Sequence, residues 1–397
     1  MSNEIPHAER PPVREPRVML SDLTDDLLWP RILRAPALAL GPSRLITGTV
    51  AAFLLAVLMR IVALFAPGDP TADPPHEPGP AVEALNGGGG GGAGRYDELL
   101  LAGERLSAIF ANLLDAAMSL DPIAFARSIG YAAVTIRDTV MHQPLIAVVV
   151  GIPLIAILAI AGGAISRSAA IEFAHGRFAS REDTLGFTLR RARQFVGAVI
   201  GPVIFCALLF LLIAVGGLLL SVPVLDLLGS ILYLFGLALG ILATVVLMLH
   251  VLALPLIVPA LAVEGTDGFD AIQRSYAYVI GRPLRYLLYA LILLLLGTIA
   301  AAVFAMVARI SIDMTDAAAL MFTNDAAERA LSGEGEMGAT KAYAYRIVEI
   351  WRTIVELIAA GYIISIFFTS STLLYLVIRR VCDGQDINEV WEPVVTD

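Results

Sequence analysis

The chain contains one lysine, Lys341, two cysteines and five histidines, and charged residues make up only 16% of its 397 positions. Soluble domains carry about 25% charged residues, so this scarcity excludes an ordinary soluble globular protein. A net charge of −9 excludes nucleic acid as a partner, because binding it takes a basic surface. Cys206 and Cys382 are far apart and lack paired spacing, which excludes a disulfide framework and a cysteine metal site. His7, His76, His142, His175 and His250 do not cluster. The signatures GxxxxGK[ST], HExxH and GxSxG are missing, so no motif demands an enzyme and no cofactor or metal is expected. The first apolar run begins only near Leu45, behind a charged tail. It reads as a signal anchor and not as a cleavable leader.

What is present is apolar length. Apolar residues are 58% of the chain and mean hydropathy is +0.79. They concentrate in runs long enough to cross a ~30 Å hydrocarbon core. The expected fold is therefore all-α: a polytopic transmembrane helix bundle of six spans. Residues 1–44 form a tail rich in Pro, Arg and acidic residues, in which 32–40 is expected as a short interfacial segment. Residues 45–66 hold the first span. Residues 67–95 are a Pro/Gly-rich linker with six consecutive glycines, and 96–143 form outer amphipathic helices. Residues 144–380 carry five spans, near 145–165, 196–222, 227–262, 287–307 and 354–378, before a tail at 381–397. The stretch 227–262 is too long for one crossing, so Pro255 and Pro259 are expected to break it where it leaves the membrane. The segment 311–346 reads as an acidic outer loop with a short helix over 326–331.

Basic residues set the orientation. With the N-terminus inside, inner segments hold seventeen arginines and outer segments hold seven basic residues. This excess predicts a cell-membrane protein with both termini cytoplasmic.

Two inner loops look alike. A shift of 84 positions superposes Asp183 on Asp267, Arg190 on Arg274 and Gly197 on Gly281. A parallel duplication of a span–helix–span unit and a chance match both account for three positions. The run from Gly268-Phe269-Asp270-Ala271-Ile272-Gln273-Arg274-Ser275-Tyr276 to Gly281-Arg282-Pro283 resembles a recurrent element of uncharacterised bacterial multi-pass proteins. So does the ending Leu374-Tyr375-Leu376-Val377-Ile378-Arg379-Arg380 with Asp383-Gly384. These are similar to the membrane domain of glycerophosphoryl diester phosphodiesterases. The resemblance covers about residues 144–390 and implies a membrane-domain fold without the soluble catalytic domain.

Few residues suggest chemistry. Glu349, Arg352 and Glu356 share one helix face by their i, i+3, i+7 spacing, with Arg352 able to pair with either carboxylate. They suit an interfacial ion-pair anchor better than a proton path. His250 suits a hydrogen-bonded neutral side chain better than a relay. Ser365 and Thr369, with Ser370, Ser371 and Thr372, put hydroxyls into the last span; helix packing accounts for them more simply than a polar pathway. Gly162, Gly163, Gly216, Gly217, Gly236 and Gly240 suit close helix approach. Arg181, Arg190, Arg191 and Arg193 lie among Phe187, Leu189 and Phe195; Arg274, Arg282 and Arg285 lie among Tyr276, Tyr278 and Tyr286. Arginine beside aromatics at a bilayer surface suits anionic lipid headgroups. The expected function is non-enzymatic: membrane organisation, lipid interaction or scaffolding. The alternative is a transporter or channel using the polar face of the last span, and a lipid enzyme ranks third.

Overall fold

The computed structural model describes residues 32–64, 144–221, 223–321 and 339–391, with isolated positions between 112 and 134. Every regular element among the described residues is helical. In order these are α1 (Ala35–Ala39), α2 (Pro42–Leu64), α3 (Pro144–His175), a π turn (Glu182–Gly186), α4 (Phe187–Arg190), α5 (Ala192–Leu218), a 3-10 turn (Leu219–Ser221), α6 (Leu225–Glu264), α7 (Gly268–Gly281), α8 (Pro283–Leu320) and α9 (Ala339–Asp383). Six of them, α2, α3, α5, α6, α8 and α9, are long and apolar enough to cross a membrane. The chain is thus a multi-pass helical membrane protein. In hydrocarbon a helix is the open-chain form that satisfies every backbone donor internally, which is why the long apolar runs all fold this way.

The helices enclose one another unevenly. α9 lies at the centre and touches α1, α2, α3, α6, α7 and α8. In its most apolar window 78% of residues are buried, against 6% for α5. Leu208, Leu211, Leu212 and Leu218 of α5 and Ile231, Leu234, Phe235 and Ile241 of α6 all face outward. The core gathers at the other end of these helices. There α6 is buried without interruption from Leu256 to Val263, against α3, α7 and α9. That end also receives the start of α2 and the ends of α3 and α9, and we call it the closed end.

Two glycines set the closest crossing. A Cβ on Gly48 would sit 2.2 Å from the carbonyl oxygen of Gly361, and one on Gly361 would sit 2.4 Å from the Thr49 nitrogen. α2 and α9 therefore meet backbone to backbone, a contact only glycine permits. Gly162 and Gly163 pack against Phe368 and Phe195, as expected. A Cβ on Gly236 or Gly240 would lie 3.9 or 4.0 Å from Ile213 of α5, while one on Gly216 or Gly217 would meet nothing within 4 Å among the described residues.

Two expectations need correction. Pro255 and Pro259 do not break the fourth span; α6 runs through both as one 40-residue helix, roughly 60 Å long. The surrounding helices hold it, and the Tyr286 hydroxyl donates to the Leu252 carbonyl beside the first proline. The fifth span also runs on: α8 reaches Leu320, so Asp313 and Asp316 are helical and not part of a loop. The segment near 32–40 turns one face inward and leaves Leu33 and Leu40 exposed. Ile32, Ala35 and Ala39 are buried, and Ser365 and Tyr362 of α9 donate to the carbonyls of Ala39 (2.8 Å) and Pro36 (3.3 Å). The tail before residue 32, the linker, most of 96–143 and the expected helix at 326–331 lie outside the described residues.

Candidate functional site

The closed end is built from ionic groups that the apolar helices deliver to one level. α6 ends at Glu264, and its left-handed cap Gly265 (φ +61°) turns the chain into α7. Asp267 then caps α7 by accepting from the Asp270 amide at 2.9 Å. Glu264 sits between helices. Its carboxylate is 2.5 Å from Arg274 of α7 and 3.7 Å from Arg379 of α9, and it accepts from the Tyr375 hydroxyl. Arg379 is buried and also donates to the carbonyls of Asp386 and Glu389 at 2.9 and 2.6 Å. Beside it the Tyr278 hydroxyl donates to Asp383. Burial, then the Asp383 carboxylate, push the Tyr278 phenol above its usual range.

A second group forms around α3. Arg44, at the start of α2, is 2.9 Å from Glu172, donates to Leu38 O at 2.6 Å and reaches Ser168 at 3.2 Å. Arg167 is fully buried and donates to Ala262 O at 2.9 Å; Arg191 donates to Gly265 O. Cations at the carbonyl end of α6 complement its dipole. Both guanidiniums flank Phe187, at 4.5 and 5.0 Å from the ring centre, and Trp391, at 5.8 and 5.3 Å.

The arginines expected at lipid headgroups divide into two sets. Arg191 and Arg274 are drawn into these clusters. Arg181, Arg190, Arg193, Arg282 and Arg285 stay exposed. They share the closed end with exposed Phe178, Leu185, Leu189, Phe269, Ile280 and Leu284. The two loops of the proposed repeat also differ. The first is a π turn followed by the four-residue α4, where Arg190 lies 3.9 Å from Glu182 in solvent. The second is a full helix whose Arg274 is tied to Glu264.

The residues of the expected polar pathway are not brought together. His250 is buried between α5 and α7, with Nε2 2.9 Å from Val199 O and Nδ1 3.0 Å from the Tyr276 hydroxyl. Burial raises the Tyr276 phenol to about 12. Ser365 bonds to α1. Thr369, like Ser365, is fully buried, and its hydroxyl has no partner among the described residues. Arg352 pairs with Glu349 at 2.6 Å and with Asp316 of α8 at 2.7 Å; Glu356 is exposed. Arg352 and Arg379 lie roughly 40 Å apart along α9 at 1.5 Å per residue. A groove of about 240 Å³ between α2 and α9 is lined by Thr49, Val50, Phe53, Ile354 and Leu357, and none of the expected pathway residues lines it. Among the described residues no group of three His, Cys, Asp or Glu side chains is placed to hold a metal.

Sequence reasoning overlooked the pairing of Glu264 with Arg379 and of Arg44 with Glu172. The available signal was the position of each at the same end of a predicted span. Comparison with family models, curated proteins and solved structures found no match to this chain.

Proposed function

We propose that the protein is a non-enzymatic membrane scaffold that engages anionic lipid headgroups at its closed end. The exposed surface of that end carries the reading. Five exposed arginines alternate there with large exposed apolar side chains, above a layer of buried ion pairs. Apolar side chains can enter the headgroup region while guanidiniums fork onto phosphate oxygens. Anchoring that surface on paired buried charges keeps its arginines at fixed spacing. The excess of arginines at this end supports a cytoplasmic orientation for it, where anionic lipids would attract each basic residue by about 1 kcal/mol.

The test is lipid retention. Purified full-length protein is prepared in mixed phosphatidylcholine and phosphatidylglycerol, and bound lipids are counted by native mass spectrometry. The wild type retains phosphatidylglycerol preferentially. Arg190→Gln, Arg193→Gln, Arg282→Gln and Arg285→Gln together abolish the preference while the protein stays folded. Equal retention of both lipids by the wild type refutes the reading. Proton or solute flux through proteoliposomes that is lost in Glu356→Gln supports a transporter instead.

A further inference from the structure

Residues 384–391 leave α9 at Gly384, whose φ of +70° is a left-handed turn that favours glycine. The chain then folds back over the closed end without helix or strand. This short segment is acidic and the surface beneath it is basic. The Asp386 carboxylate lies 3.7 Å from Arg380, and the backbone carbonyls of Asp386 and Glu389 take the Arg379 hydrogen bonds. Ile387 and Val390 are buried. The Trp391 amide donates to Val263 O at 2.9 Å, and its half-exposed ring lies over Arg167, Arg191 and the Phe187 ring. A Cβ on Gly265 would meet that ring at 2.8 Å, so the left-handed cap of α6 also makes the seat for Trp391.

The Asp386 carboxylate offers arginine a negative charge, as an anionic lipid phosphate does, and tryptophan is a side chain that itself favours headgroup depth. We propose that residues 384–391 are an intramolecular lid whose Asp386 carboxylate occupies Arg380 and whose Trp391 ring covers Arg167 and Arg191, and that phosphate-bearing lipid headgroups displace it. The inference rests on the lipid-binding reading above. A headgroup that reaches Arg380, Arg167 or Arg191 beside the exposed arginines excludes the lid, so linkage makes their effects reciprocal. Anionic lipid opens the lid, and a weakened lid tightens binding of anionic lipid. The lid pivots on a glycine and contains no regular structure; the Trp391 amide bond, the two Arg379 bonds and the buried Ile387 and Val390 side chains hold it, with a salt-screened contact between Asp386 and Arg380.

The experiment uses the full chain in nanodiscs of phosphatidylcholine alone or mixed with phosphatidylglycerol. Hydrogen exchange is followed in the peptide carrying the Trp391 amide. Exchange of this peptide rises about tenfold in the anionic discs, within the usual range of coupling between sites, while peptides of α6 stay unchanged. Asp386→Asn with Glu389→Gln gives the fast exchange already in neutral discs and raises phosphatidylglycerol retention. If the double variant does not fold, the wild-type comparison between the two discs decides alone. Preferential retention of phosphatidylglycerol with identical exchange in both discs overturns the lid and leaves the lipid-binding reading standing. Absence of preferential retention removes both.

Discussion

Replacing Glu264 with glutamine removes one negative charge from between two arginines and a tyrosine. The side chain keeps its length, and an amide oxygen remains to accept from Tyr375. The loss therefore falls on the ion pairs. Arg379 is 3% exposed and Glu264 9% exposed, so this pair is shielded from water. Removing one member of a buried pair costs about 3–5 kcal/mol, chiefly because the other charge stays buried and unmatched. Arg379 keeps its bonds to the carbonyls of Asp386 and Glu389, which puts the loss at the low end, about 3 kcal/mol. Arg274 is 37% exposed and can turn to water, so its share is under about 1 kcal/mol. The expected total is thus about 3 kcal/mol, read as reduced resistance to denaturant in mixed micelles. Adding Arg379→Met to Glu264→Gln removes the orphaned charge and restores about 1–2 kcal/mol, a coupling of the size that contacting residues show. Arg274→Gln, paired with Glu264→Gln in a parallel cycle, shows little coupling. A Glu264→Gln protein that loses less than about 1 kcal/mol refutes the reasoning, because the cluster must then be hydrated and not packed.

Two further outcomes follow from the packing. Gly361→Ala drives a methyl into the α2 backbone 2.4 Å away, and loses about 1–3 kcal/mol as overpacking does; an unchanged unfolding midpoint would count against the crossing of α2 and α9. Tyr276, with its phenol raised to about 12 by burial, favours the neutral form in the folded protein. Its contribution is complete below the ordinary phenol value of about 10 and is lost as pH rises from there towards 12. Melting temperature followed alongside tyrosinate absorbance should fall across that window, and Tyr276→Phe should flatten the fall; an identical slope in the variant shows that this phenol is not the group responsible.

Much of the architecture was written in local sequence. Runs of apolar residues identify all six spans, because a helix in hydrocarbon needs nothing from its neighbours to satisfy its backbone. Asp267 before Gly268 marks the start of α7, and Pro223 with Asp226 marks the turn between α5 and α6. Arg352 was recognisable as an ion-pair residue, but only half of its partnership is local. Glu349 is one turn away, whereas Asp316 comes from α8. Pro255 and Pro259 misled for a related reason. Local propensity counts them as breakers, and enclosure by α3, α7 and α9 overrides it.

The sequence by itself determined how many helices are apolar enough to cross, since apolar length against bilayer thickness is a property of each segment alone. It also determined that one end of the bundle would be rich in arginine. Only the tertiary structure decided which arginines face outward and which are consumed by internal pairing. Glu264 meets Arg379 across 115 positions, Arg44 meets Glu172 across 128, and Trp391 comes to rest on Arg167 and Arg191. Charge identity is local, whereas desolvation and partnership depend on how the helices pack. The exposed arginines and the acidic lid beside them are therefore features of the folded chain.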